Sequence, residues 1–258
     1  MVTMKRLAGG VLEMVLRYVA AFLVIGLLWQ AGTAAFGDAV LPSPVATGRL
    51  FAESLSDPVY LAHFGTSTLR LAVGMAVAAV CSFVLGLWLG HVRLADRLGA
   101  PLVFITYPLP KIVLLPVFFL LLGLGESSRI LLIALTTGYQ MLVIVRASAK
   151  ALDPVYEEAL RFMGGGIAAV VRHVYIPAAL PDFFTSLKVA SGTGVAVLFL
   201  AESFATNTGL GYLIMDAWGL GDTLAMFNGI LGMGALGLGF YAIVWYAERL
   251  CCPWRRSA

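Results

Sequence analysis

Apolar residues in this chain gather into long runs instead of narrow stripes. The runs fall at roughly 14–36, 66–90, 101–123, 129–149, 185–205 and 224–247. Each is long enough for a helix to cross a bilayer core, which takes about 20 residues. The third run is interrupted by Pro108, Pro110 and Pro116, so it is predicted to be kinked or discontinuous. The fifth opens with Ser191, Gly192, Thr193 and Gly194, and the sixth carries Gly229, Gly232, Gly234, Gly237 and Gly239. Small residues at such places let another helix backbone approach closely. Between these two runs, Asn207 to Asp222 is about half a span, and an interfacial or re-entrant segment is predicted. The first stretch imitates a secretory signal, with Lys5 and Arg6 ahead of an apolar run. Val15 to Ala35 is nevertheless too long for a signal core, so a retained first helix is predicted. The fold class is an all-α membrane protein with about six transmembrane helices.

Composition fits that reading. Apolar residues make up 60% and charged residues 12% of the 258, with a mean hydropathy of +0.94. Soluble domains are about 45–50% apolar and about 25% charged, so this chain has too little polar surface to coat a body in water. The placement of the 17 basic residues sets an orientation. With six spans, the side that holds both termini collects Lys5, Arg6, Arg17, Arg93, Arg97, Arg146, Lys150, Arg161, Arg172, Lys188, Arg249, Arg255 and Arg256. The positive-inside rule makes that side cytoplasmic. Expected boundaries are 1–40 for an N-terminal segment with the first span, 41–65 for an external loop with a short helix, 66–248 for the core domain and 249–258 for a cytoplasmic tail. Cys81, Cys251 and Cys252 show neither metal-ligand spacing nor a disulfide framework, and the vicinal pair reads as apolar filler.

The longest cytoplasmic stretch, about residues 150–184, carries its own helix signals. Asp153 suits an N-cap, Pro154 the first helical position, and Glu157 and Glu158 the positive helix start. Val155, Ala159, Phe162 and Met163 share a face, while Glu157 and Arg161 stand at i, i+4 on another. Gly164, Gly165 and Gly166 stop this helix. A second short amphipathic helix is expected from Ile167, Val170, Val171 and Val174, ending at Pro177 and Pro181.

At this segment the chain resembles a known family. Glu158-Ala159-Leu160, three residues, Gly164, nine residues, then Val174-Tyr175-Ile176-Pro177 is similar to the EAA motif of ABC-importer permeases, Glu-Ala-Ala, three residues, Gly, nine residues, Ile-x-Leu-Pro. The spacing agrees throughout, and the departures at Leu160, Val174 and Ile176 keep size and apolarity. Leu41-Pro42-Ser43-Pro44, Tyr107-Pro108-Leu109-Pro110-Lys111 with Leu115-Pro116, Gly123-Leu124-Gly125-Glu126 and Gly209-Leu210-Gly211-Tyr212-Leu213-Ile214 resemble the nitrate/sulfonate/taurine branch. The resemblance covers about residues 40–248. It implies a type I importer permease fold, with a coupling helix between spans four and five that docks on an ATPase. The residues it marks for coupling are Glu157, Glu158, Ala159, Leu160, Met163, Gly164, Gly165, Ile176 and Pro177. It further implies two ATPase subunits holding ATP and magnesium, a second permease copy, a periplasmic binding protein and a place in a bacterial or archaeal cytoplasmic membrane. The implied solute is a small anion such as a sulfonate, taurine or nitrate, with a thiamine-precursor-like heterocycle as the alternative.

No chemistry of catalysis is legible. The chain lacks G-x-x-x-x-G-K-[ST], so nothing in it resembles a phosphate-cradling loop. His63, His91 and His173 lie far apart, and no metal ligands, cofactor or nucleic-acid partner are expected; the partner beyond proteins is membrane lipid. Glu126-Ser127-Ser128 reads as a solvated turn after span three, and Arg70 as a headgroup anchor at the outer end of span two. Lys111 stands inside the broken third span. A Lys at the bilayer centre costs about 2.5–3.5 kcal/mol, so a lipid-facing position is disfavoured. Three placements stay open: lining a pathway that favours anions, pairing with Glu202 in span five, or snorkelling to an interface. Lys111, Tyr107, Pro110 and Glu202 are the candidate pathway residues. An ATP-independent transporter or channel is the competing function, and the EAA spacing, which such a protein does not need, counts against it.

Overall fold

The computed structural model describes residues 2–256; the side chains of residues 2–15, Tyr18 and Arg256 lie outside the described ones, and with them Lys5, Arg6 and Arg256 of the charge pattern. The helices are α1 (Val2–Phe36), α2 (Pro44–Ser54), α3 (Pro58–His91), α4 (Arg93–Thr106), α5 (Leu115–Leu122), α6 (Glu126–Ala151), α7 (Pro154–Phe162), α8 (Ile167–Val170), α9 (Ile176–Glu202), α10 (Leu210–Leu220) and α11 (Thr223–Cys251). Among the described residues, five helical stretches are long and apolar enough to cross a membrane, and the pair α4 and α5 adds a sixth if it is one broken span. That pair bends by 85°. Pro108 and Pro110 remove two amide donors, so the α4 bonding ladder cannot run past Tyr107, which still keeps α-region angles (φ −58°, ψ −48°). The chain then restarts through a 3₁₀ turn at Lys111–Leu114, with Pro116 in the first turn of α5.

Two compact units are distinguished: Met1–Leu61 with Leu213–Leu231, and Ala62–Tyr212 with Gly232–Ala258. In the first, Trp29 donates its indole N–H to the Pro42 carbonyl (2.9 Å) and Ser43 caps α2 through the Ala46 amide (3.3 Å). The Tyr60 hydroxyl donates to the Asn228 carbonyl at 3.3 Å, and the Asn228 amide donates to Ser54 Oγ at 2.9 Å. The second unit packs α3 against α6 and α6 along α9, with Leu71, Met75, Leu132, Ile133, Met141 and Leu198 among its fully buried side chains.

Small residues set the spacing, though not where the sequence pattern put all of them. Gly194 faces Leu71 and Met75, so a Cβ there would come within 3.1 Å of each, while a Cβ on Gly192 would meet open space. The tighter contacts are between α3 and α6. A Cβ built on Gly90 would sit on the Ala149 methyl, and one on Gly138 would come within 3.2 Å of the Ala78 backbone. These glycines lie singly within apolar runs, without the clustering that marks the fifth and sixth spans.

The second short helix does not end at Pro177. It continues as one helical path from Ile167 to Glu202, through a wide π turn at Val171–Tyr175 that ends two residues before Pro177. A proline ring clashes with the carbonyl four residues back, and an extra residue in the preceding turn relieves that clash. The turn after span three is likewise shorter than expected: Glu126 is the first residue of α6, and Ser128 is buried, donating to the Phe118 and Gly123 carbonyls (3.1 and 2.5 Å).

Gly90→Leu should force α3 away from α6 and lower stability by about 1–3 kcal/mol, the usual cost of overpacking. A fall in the thermal midpoint of the detergent-solubilised protein checks this, with Gly192→Leu, which meets open space, close to wild type.

Candidate functional site

Three features of the second unit carry the chemistry. The first is α7, built as a free-standing peg. Asp153 accepts the Val155 amide (3.0 Å) at its start, Pro154 fills the first helical position, and Glu157 places negative charge in the first turn. Its end is a Schellman turn: the Gly165 amide donates to the Leu160 carbonyl (3.0 Å) and the Gly164 amide to Arg161 (2.9 Å). Gly164 has φ +85°, and a Cβ on Gly165 would come within 2.8 Å of the Leu160 carbonyl, so both positions demand glycine. Among the described residues, α7 buries none of its side chains. Val155, Tyr156, Phe162 and Met163 are all largely exposed, Phe162 at 90%. Glu158 and Ala159 are exposed as well, while Leu160, Ile176 and Pro177 are half-buried. Tyr156, Ala159, Leu160 and Met163 form one wall of an apolar groove of about 630 Å³ whose other wall is His173, Val174, Pro177 and Ala178.

Glu157 turns back toward the membrane helices. Its carboxylate accepts the Tyr175 hydroxyl (2.6 Å) and the Arg161 guanidinium (2.9 Å). The Tyr175 bond, and after it Arg161, holds the Glu157 carboxyl below its ordinary value. A depressed carboxylate stabilises the fold above its unfolded value and loses that contribution as pH falls through the folded one, so the tie is complete at neutral pH and loosens only in acid.

The second feature is a charge cluster that corrects the reading of Arg70. Arg70 is buried, with 1% of its side chain exposed. All five of its N–H donors are used: two on Glu126 (both 2.6 Å), one on Glu202 (2.8 Å), one on the Thr208 carbonyl and one on the Thr208 hydroxyl (both 2.9 Å). Burial within a low-dielectric interior rules out a headgroup anchor, because the guanidinium would have to leave its carboxylates. Glu202, with its side chain fully buried, also accepts Ser67 (2.8 Å) and the Gly211 amide (2.9 Å), and so complements the positive N-terminus of α10. A Cβ on Gly209, whose φ is +107°, would come within 2.4 Å of that carboxylate. Arg129 is buried beside it and donates to the carbonyls of Ala201 (3.2 Å), Leu124 (2.7 Å), Gly125 (3.0 Å), Phe204 (3.4 Å) and Ala205 (2.5 Å). Ala205 has φ +50°, an unusual value for alanine that these bonds help to hold.

The third feature is the break between α4 and α5. Lys111 donates to the Thr106 and Tyr107 carbonyls (2.7 and 2.8 Å), the unsatisfied end of α4, and its ammonium sits 4.0 Å from the Tyr139 ring centroid. Thr106 and Tyr139 share a short hydroxyl contact, and Tyr139 donates to the Val103 carbonyl (3.0 Å). Tyr107 and Pro110 are exposed at the break. Among the described residues, Lys111 and Glu202 make no bond to each other, so the pairing left open by the sequence is not formed.

A multi-span helical chain with a buried Arg70–Glu202 pair, a proline-broken span and an exposed helix between α6 and α9 has the architecture of an integral membrane protein. The comparisons specify which. The family model of the binding-protein-dependent transport system inner membrane component matches residues 82–249, and the chain belongs to that family. It is an ABC-importer permease, a non-catalytic multi-pass membrane subunit. It is 28% identical to the aliphatic sulfonates transport permease protein SsuC of Bacillus subtilis over 91% of this chain and 86% of that one. It is 26% identical to the taurine transport system permease protein TauC of Escherichia coli over 72% of this chain and 66% of that one. It is 25% identical to the formylaminopyrimidine transport permease protein ThiX of Halalkalibacterium halodurans over 92% and 94%. In fold it is similar to a chain of the inward-facing MetNI methionine ABC transporter, with a TM-score of 0.63 at 17% identity, covering 76% of this chain and 99% of that one.

Arg70→Met should leave Glu202 buried without its counter-charge and cost about 3–5 kcal/mol. Arg70→Lys should recover only part of this, since an ammonium has three donors for five acceptor bonds. Thermal unfolding of the purified variants checks both; a wild-type midpoint for Arg70→Met would refute the role given to the cluster.

Proposed function

We propose that α7 is the face on which a cytoplasmic ATPase subunit docks, and that this chain, paired with a second permease copy, forms the solute pathway of the importer. The observation that supports this most is the exposure of Val155, Tyr156, Phe162 and Met163 on a helix capped at both ends and too short to span. Apolar side chains on the membrane helices meet lipid, but α7 carries Glu157, Glu158 and Arg161 as well and suits a helix-in-groove contact. In this reading Glu158, Ala159, Leu160 and Met163 meet the ATPase, Gly164 and Gly165 form the elbow, and Ile176 and Pro177 mark where the π turn hands motion to α9. Two ATPase subunits bind ATP and magnesium, and a periplasmic binding protein supplies the solute. Counting spans along the sequence puts Lys150, Arg161 and Arg172 with both termini, and the positive-inside rule then supports cytoplasmic termini in an inner membrane.

The solute is a small anion of the sulfonate, taurine or nitrate kind. The names of two of the relatives support this, as does Lys111, whose charge is held by carbonyls and an aromatic ring and is not neutralised by a carboxylate among the described residues. The relative named for formylaminopyrimidine supports a heterocycle as the alternative.

Phe162→Asp should remove about 1.5–3 kcal/mol of apolar burial, a loss of roughly ten-fold or more in retention of the ATPase subunit through detergent purification. Unchanged retention would refute docking on α7. Lys111→Met should weaken uptake of taurine by about ten-fold in proteoliposomes holding the full transporter, with Lys111→Arg near wild type; equal uptake by both would remove Lys111 from solute selection.

A further inference from the structure

The reading of α7 as the ATPase dock leaves open how a movement of so short a helix reaches the membrane spans. Its caps are all its own, and among the described residues only one of its side chains hydrogen-bonds to another element: Glu157, which accepts the Tyr175 hydroxyl at 2.6 Å. Tyr175 is buried and is the last residue of the π turn that opens onto α9. Its ring lies parallel to that of His91, with centroids 3.4 Å apart and planes 6° from each other. His91 is the last residue of α3, and its buried Nε2 has no hydrogen-bond partner, so the ring face and not a polar bond sets its position. Next to it Gly90 lies against Ala149 at the end of α6. A π turn carries one residue more than an α turn needs and is a place where a helix can shift register.

We infer that Glu157, Tyr175 and His91 form a positioning relay that converts a displacement of α7 into displacement of the cytoplasmic ends of α9 and α3 together. The inference rests on α7 being the dock. The hydrogen bond gives the relay direction, because it breaks unless Tyr175 follows Glu157. The stack gives it reach, because two parallel rings at contact distance cannot be pulled sideways independently without losing their overlap. Arg161, bonded to the other carboxylate oxygen, keeps Glu157 from rotating away.

Hydrogen–deuterium exchange on the assembled transporter in nanodiscs, with and without ATP, magnesium and vanadate, tests this. In the wild type, nucleotide should slow exchange across residues 155–162 and change it by about five-fold or more at 88–92. Tyr175→Phe keeps the ring and removes only the hydroxyl. It should leave the response at 155–162 intact and reduce that at 88–92 to about two-fold or less. His91→Ala should do the same from the other end, while Glu157→Gln, which keeps an acceptor oxygen, should retain most of the response. A response at 88–92 that survives at full size in both Tyr175→Phe and His91→Ala overturns the relay. If residues 155–162 never respond to nucleotide in the wild type, the docking reading itself falls, and the relay with it.

Discussion

Taking water away from the helices obliges every ionised side chain among them to find counter-charges or hydrogen-bond acceptors within the protein, and here that obligation converges on Glu202. Its carboxylate collects Arg70 and Ser67 from α3 and the opening amides of α10, and Arg70 extends the set to Glu126 at the start of α6. Arg129 then fastens the loop after α9 through backbone carbonyls alone. Desolvated ions are costly, and their attraction repays that only when geometry is complete. Here both arginines use all five donors, so the end of the unit that holds them is stitched into one body. Glu202 is thereby a structural anchor in this conformation, although it lies within the expected pathway set.

The opposite end is built on different terms. Asp96 meets Arg146 and Lys150, and Glu248 meets Lys188 and Arg255, in pairs that are partly exposed. Beyond them α7 stands with its apolar side chains uncovered and a single hydrogen bond behind it. A permease that must answer a partner's movement needs such a division: a fixed end that preserves the helix arrangement, and a contact helix whose displacement costs little. The π turn before Pro177 belongs to the same logic, since it is the one wide turn in an otherwise regular path from Ile167 to Glu202 among the described residues.

Much of this was legible in the residues themselves. The spans follow from apolar run lengths, the broken third span from Pro108 and Pro110, and α7 from Asp153, Pro154 and the glycine triplet. What could not be read was whatever depends on which distant residues meet. Arg70 lies near the edge of an apolar run, where a headgroup anchor is the default; only the arrival of Glu126 and Glu202, 56 and 132 residues away, makes it a core residue. For Lys111 three placements stayed open, and its bonds to α4's own terminal carbonyls depend on the sharpness of the break. Pro177 looked like a stop because a proline usually is one, and nothing in the local sequence announced the π turn that absorbs it. Tyr175 and His91, 84 residues apart in numbering, carried no shared signal.

The central claim is that the exposed apolar face of α7 is covered by an ATPase in the working transporter. A photoreactive phenylalanine analogue placed at position 162 in native membranes reports directly on what touches that face. The expected adduct is with a subunit whose peptides include an ATP-binding phosphate loop. An adduct confined to lipid, with the transporter still active, would contradict it.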